Sequence, residues 1–295
     1  MKVQGCDCSI VIKTTQHEFD VPYSEETIRE AVSVLQEEAS IEGDGVCKAI
    51  VKKSGVTGCV VTPLTIGTAP LLLYLAMGSA GLPVFVSETR NLYRYQLNLL
   101  PLENSDCFDL IQDREIERRV FENCQVQGFE LRFEKEQAVK LKLDVCGERS
   151  AQAYLYTDTT QSQTSEMAGT VIGRERFNSN YVDYKLNGSE YSNIYGLTLS
   201  CKKEGGTRTE LWIKRNLNKG SDLPNTIEEL VITAQLMRDK YEYRHFGIFR
   251  ITIKRLVLVS DETNINSADT VIGPIRYYVA GTVSTEVFTS GEELL

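Results

Sequence analysis

Val126-Gln127-Gly128-Phe129-Glu130-Leu131-Arg132-Phe133, a polar loop, and then Val139-Lys140-Leu141-Lys142-Leu143-Asp144-Val145 form the stretch that decides the fold. Apolar and polar residues alternate strictly, which sets one face of a strand against a core and the other in water. The pattern returns as Ile194-Tyr195-Gly196-Leu197-Thr198-Leu199-Ser200-Cys201, a Gly205-Gly206 loop and Leu211-Trp212-Ile213. In both copies a β-branched residue stands two positions before a glycine, and apolar residues follow one, three and five positions after it. The offset is 68 residues throughout, from Gly128 to Gly196. A hairpin written twice predicts a chain built from two related β-halves.

The 295 residues leave room for two domains, each able to bury a core. Hydrophobic content of 42% and charged content of 25% fit a globular protein. The net charge of −9 argues against a general nucleic-acid binder, because phosphate binding needs a positive field. It remains compatible with a protein past which DNA must slide. Met1 to Cys8 is short and polar, unlike a signal peptide, and Pro70 to Met77 is too short to cross a bilayer. No membrane partner is therefore expected. The eight cysteines are expected to be reduced thiols in a protein made in the cytoplasm.

Local signals predict the other elements. Ser24 ahead of Glu25 and Glu26, with Ile28, Ala31, Val32 and Leu35, predicts a helix over about Glu25 to Ala39. Strands are expected at Ser9–Lys13, Val46–Val51, Gly55–Leu64, Leu82–Ser87 and Leu92–Leu100. Ala69 to Met77, with Pro70 in the first turn and Gly78 at the end, predicts a helix apolar nearly all round and hence buried. Leu102 to Arg119 is charged and irregular, with a turn of helix expected near Phe108 to Ile111. Asn187-Gly188 is a hairpin turn. Thr226-Ile227-Glu228-Glu229 has capping-box form, and Ile227, Leu230, Val231, Ala234 and Met237 then fall on one helical face. Ile248–Val259 and Val271–Phe288 alternate as strands. The plan is mainly β (α+β): two β-sandwich domains, residues 1–150 and 169–295, each flanked by one α-helix, joined by a Thr/Ser/Gln-rich linker over 151–168.

Catalytic chemistry is hard to find. His17 and His245 stand in no triad motif, and surface or packed histidines explain them. Cys6-x-Cys8 has no second ligand pair. Asp261, Asn264, Asn266 and Asp269 lack the glycine and terminal glutamate of a calcium loop. No catalytic residue, cofactor or metal site is assigned, and the chain is expected not to be an enzyme.

Three stretches resemble the tail tube proteins of long-tailed bacteriophages and prophages. They are Pro22-Tyr23-Ser24-Glu25-Glu26-Thr27-Ile28 with Val34–Asp44, Val56-Thr57-Gly58 leading to Leu71–Gly78, and Cys124–Leu131. Their order and spacing carry the likeness over about Pro22 to Gly147. The resemblance implies a tail-tube-like β-sandwich assembled with itself into rings, hexameric in that family. The rings stack into a tube through which DNA passes without specific binding, alongside other tail proteins. It implies a virion tail location after synthesis in a bacterial host, and an extended rather than helical Ser24–Ile41. Candidate assembly residues are then Leu92, Tyr93, Tyr95, Asp106, Phe108, Tyr181, Tyr184, Tyr191 and Tyr195. Two alternatives stay open: a β-sandwich module holding a carbohydrate or protein partner on Tyr181–Tyr195, and a hydrolase with a site near His245.

Overall fold

A computed structural model describes residues 8–14, 18–36, 49–87, 92–114, 117–150, 154–155, 176–216, 223–235, 248–261 and 272–289. The protein is mainly β and antiparallel. Its first strands are β1 (Cys8–Lys13), β2 (Glu18–Val21), β3 (Glu25–Glu26), β4 (Arg29–Gln36) and β5 (Ala49–Pro63). Helix α1 (Ala69–Met77) follows, then β6 (Gly78–Ala80), β7 (Val84–Ser87), β8 (Leu92–Leu99), β9 (Phe108–Arg114) and β10 (Glu117–Glu134). Next come β11 (Lys140–Ser150), β12 (Tyr154–Leu155), β13 (Val182–Leu186), β14 (Ser189–Glu190) and β15 (Ile194–Lys202). The series closes with β16 (Arg208–Asn216), β17 (Thr226–Gln235), β18 (Ile248–Asp261), β19 (Ile272–Val279) and β20 (Val283–Thr289). The chain divides into two compact units, each made of three segments: 1–60, 107–125 and 144–167, and then 61–106, 126–143 and 168–295.

In the first unit, β2 pairs with β1, β1 with β9, and β9 with the first part of β10, all antiparallel. Ile10, Ile12, Leu110 and Phe121 are at most 2% exposed. The expected helical turn at Phe108–Ile111 is instead strand β9. Phe108, Leu110 and Ile111 are all buried, and β9 has a ladder partner on each edge. The helix expected over Glu25–Ala39 does not form over its described part, 25–36: residues 29–36 pair with β5 from Arg29↔Thr57 to Gln36↔Ala49. Thr27 explains the outcome, since its N–H donates to Cys59 O and its Oγ1 accepts from Cys59 N–H, both at 3.0 Å. Those long-range bonds satisfy the backbone that a helix would satisfy locally. Gly58 permits the approach, because a Cβ there would lie 2.5 Å from Ile28 Cα and 2.6 Å from Thr27 O.

In the second unit, β10 pairs with β15, β15 with β16, and β16 with β19. The two signature strands therefore lie against each other. Leu131 pairs with Leu199, its own counterpart at the 68-residue offset, and Phe129 with Cys201, the counterpart of Phe133. An antiparallel pair in that register places a local two-fold axis between Leu131 and Leu199. The inward residues match the expectation: Leu131, Phe133, Val139, Leu141, Leu143, Leu197, Leu199, Leu211 and Ile213 are at most 1% exposed.

Strand β18 organises the rest. Its 256–261 part pairs with β19 and its 248–253 part with β20, so β19 and β20 follow one edge in succession. At the junction Arg255 adopts φ 58°, and a Cβ on Gly281 would sit 2.4 Å from Lys254 O. This bulged corner sends β19 to β16 and β20 to β8. Phe249, Phe133 and Phe177 pack at the centre of the unit, with Phe177–Phe249 edge to face at 4.9 Å.

Thr226–Gln235 is a strand, not the expected helix. Asn187, in the turn between β13 and β14, accepts the Glu228 and Glu229 N–H groups on its Oδ1 at 3.0 Å each. The Glu229 N–H is the donor that the Thr226 side chain would have held in a capping box. The β17–β18 ladder passes over Glu228 and Arg255 without a change of register, and beyond them Leu230, Ile232 and Ala234 are fully buried at period two. Asn187 and Gly188 have φ 48° and 82°, the type I′ geometry that their sequence predicts.

Helix α1 forms as expected, with Pro70 in its first turn and Gly78 at φ 100° closing it onto Tyr74 O. It is the single α-helix among the described residues, so the expectation of one helix per domain is not met. The 151–168 stretch lies outside the described residues apart from β12.

Candidate assembly surface

Strand β8 is paired on both edges and supports an exposed apolar strand on one of them. Tyr95 and Leu97 point inward at 2% and 0% exposure, while Gln96 and Asn98 face solvent. One edge of β8 pairs with β20. There Glu286 is bracketed by Arg94 at 3.4 Å and Arg250 at 3.2 Å, a polar ladder on the solvated face. The other edge pairs with β6 at Leu97–Leu99 and with β7 at Leu92–Arg94.

Among the described residues, β7 has no strand on its outer edge. Neighbouring residues of a strand point to opposite faces. Val84, Phe85 and Val86 are nevertheless all half-exposed, at 47–49%, and Leu82 just before them reaches 89%. Both faces of β7 are thus wet, and no charge interrupts Gly78 to Ser87. Phe85 leans edge-on against Tyr93, ring centroids 5.2 Å apart. Pro83 and a bulge between Phe85 and Ser87 are devices that blunt an edge, but the apolar side chains stay uncovered.

The sequence-derived candidates scatter. Tyr93 adjoins the β7 edge, whereas Tyr95 is core. Leu92 belongs to β8, paired with Ser87. Asp106 is exposed and accepts a hydrogen bond from the Tyr74 hydroxyl, tying α1 to the following loop. Phe108 is 3% exposed in the core of the first unit. Tyr181 and Tyr195 are 42% and 40% exposed. A bulge between Ile194 and Gly196 turns Tyr195 outward, under the Lys135 ammonium at 5.8 Å. Tyr184 and Tyr191 sit on the β13–β14 hairpin, joined by a 2.9 Å bond from Tyr191 N–H to Tyr184 O. Burial pushes the Tyr184 phenol well above its ordinary range. The sequence reading missed Leu82, Val84, Phe85 and Val86 as a surface. An apolar run without period two reads equally as a strand buried on both faces, so the sequence carried no signal that this one is exposed.

Chemistry-bearing groups are sparse. Among the described residues no cluster of His, Cys, Asp or Glu could hold a metal. His17, His245, Asn264, Asn266 and Asp269 lie outside the described residues. Burial raises the Cys124 thiol to about 12, with Asp109 adding to the effect, so this cysteine is a core residue rather than a nucleophile. No helix among the described residues is long and apolar enough to cross a membrane. Comparison with protein-family models and with curated proteins finds no match to this sequence.

Proposed function

We propose that this chain is a structural subunit of a bacteriophage or prophage tail tube, assembling with itself into stacked rings around a passage for DNA. The observation that carries the reading is the β7 edge: a strand with no partner on its outer edge among the described residues and apolar side chains on both faces, the form of surface that a neighbouring subunit covers. Ring closure protects such an edge, and an open monomer leaves it an aggregation hazard. The extended Glu25–Gln36 segment fits the same family plan, in which this arm is not helical. The net charge of −9 suits a conduit for DNA, because like charge keeps the polymer from adhering to the wall.

The test is negative-stain electron microscopy with light scattering over a protein concentration series, beside Val86→Lys. The expected result is six-fold rings or tubes for the native protein, and a shift to monomer for V86K with its circular dichroism unchanged. Native protein that stays monomeric at every concentration overturns the reading and favours the binding-module alternative.

A further inference from the structure

On the solvent face of the β10–β15–β16–β19 sheet, the middle of β15 presents the small side chains of Gly196, Thr198 and Ser200, before the exposed Lys202 at its end. Its alternate residues Leu197, Leu199 and Cys201 are at most 2% exposed. The neighbouring strands stand taller. Glu130, Arg132 and Glu134 of β10 lie opposite Ser200, Thr198 and Gly196 on one side. Glu210, Trp212 and Lys214 of β16 lie opposite them on the other. The result is a trough along β15, about 13 Å long at the usual rise per strand residue. Its volume is about 300 Å³, with Pro274 completing the lining. Lys214 crosses above Gly196 to reach Glu134 at 3.1 Å and closes one end.

We propose that this trough binds a neutral saccharide, a short run of pyranose rings. Trp212 supplies a flat apolar plate in its wall, held by the Arg276 guanidinium 5.1 Å from the ring centroid. The C–H face of a pyranose matches such a plate. Across the trough, on β10, stand planar groups with two adjacent polar atoms, the carboxylates of Glu130 and Glu134, which suit the neighbouring hydroxyls of a sugar. Thr198 and Ser200 add hydroxyls to the floor.

The charges here are already matched. Glu130 pairs with Arg132, Glu134 with Lys214, and Glu210 with Arg276 at 2.6 Å and Arg208 at 2.9 Å. Hydrogen bonds from Arg276 hold the Glu210 carboxyl below its ordinary range. Each carboxylate on this face thus has a cationic partner, and its three carboxylates and four cations leave only a small net charge to attract a charged ligand. Apart from the indole and Pro274 it has no apolar anchor of the kind a peptide interface needs. The size lies at the small end of ligand sites, roughly 300–1,000 Å³.

Trp212 is the only tryptophan, so its fluorescence reports on this site alone. The protein would be titrated with maltotriose, cellotriose and tri-N-acetylchitotriose, with calorimetry in parallel. The expected result is a saturable fluorescence change with at least one of them. Thr198→Tyr, which fills the trough beside Trp212 without touching the core, should weaken binding at least tenfold with circular dichroism unchanged. No response to any of the three up to about 10 mM, weaker than any useful affinity, overturns the proposal. So does wild-type binding by T198Y. A fluorescence shift driven by protein concentration alone overturns it too, because a second copy would then cover the face.

Discussion

Replacing Lys203 with methionine should stabilise the protein at neutral pH, against the usual direction for a core change. Lys203 follows β15 and is 1% exposed. Its Nζ donates to Ser105 Oγ at 3.0 Å, and a Cβ on Gly78 would lie only 3.2 Å from it. Burial pulls the ammonium down from 10.5 to about 8. Because the folded pKa is lowered, the unfolded chain binds the proton more tightly, and stability rises with pH between about 8 and 10.5. The difference of some 2.5 units corresponds to about 3 kcal/mol held against the fold at pH 7, shrinking to roughly 1 kcal/mol near pH 9.5. Methionine removes that term and forfeits one hydrogen bond worth about 1 kcal/mol. Urea unfolding of both proteins at pH 7, 8, 9 and 9.5 should show K203M ahead by about 2 kcal/mol at pH 7, with the gap closing as pH rises. Comparing the pair cancels the opposing losses from Cys124 and Tyr277, whose burial-raised values of about 12 make each favour the fold less as pH climbs above its ordinary value. A gap that is independent of pH, or a K203M protein that is less stable at pH 7, refutes the reasoning.

Asn187→Ala removes the acceptor for two strand N–H groups and puts a Cβ residue without a polar side chain at φ 48°. The expected loss is about 2–3 kcal/mol by urea unfolding, and Asn187→Asp should keep most of the native stability because its carboxylate still accepts both bonds. Gly58→Ala drives a methyl into the Thr27–Ile28 backbone. It should cost more than about 2 kcal/mol, with hydrogen-exchange protection lost first at Thr27 and Cys59.

Parts of this fold could be read from single stretches. Val139 to Val145 and Leu197 to Ile213 alternate so regularly that only a strand can bury their apolar residues together. Ala69 to Met77 has no polar face, a proline that fits only a first turn, and a glycine ready for the left-handed end. Asn187-Gly188 carries its own turn geometry. In these places the local preference and the final burial agree. The β7 surface was half legible: the run Leu82–Val86 reads as a strand, but its exposure depends on what lies around it.

Two segments went the other way. Thr226–Gln235 and Glu25–Gln36 have helical spacing and helix-start chemistry, yet both are strands. Their backbone donors and acceptors are claimed from a distance, by Asn187 and β18 in one case and by β5 in the other. Such bonds join residues 13 to 42 positions apart, beyond the reach of the i, i+3 and i, i+4 spacing by which a helix is read. The repeated hairpin shows the same division. The sequence by itself determined that each copy is a strand pair with one buried face, because period two is a property of the strand. Only the tertiary structure decided that the copies pair with each other across Leu131 and Leu199, because a strand's edge hydrogen bonds are alike along any chain and its side chains do not name the partner.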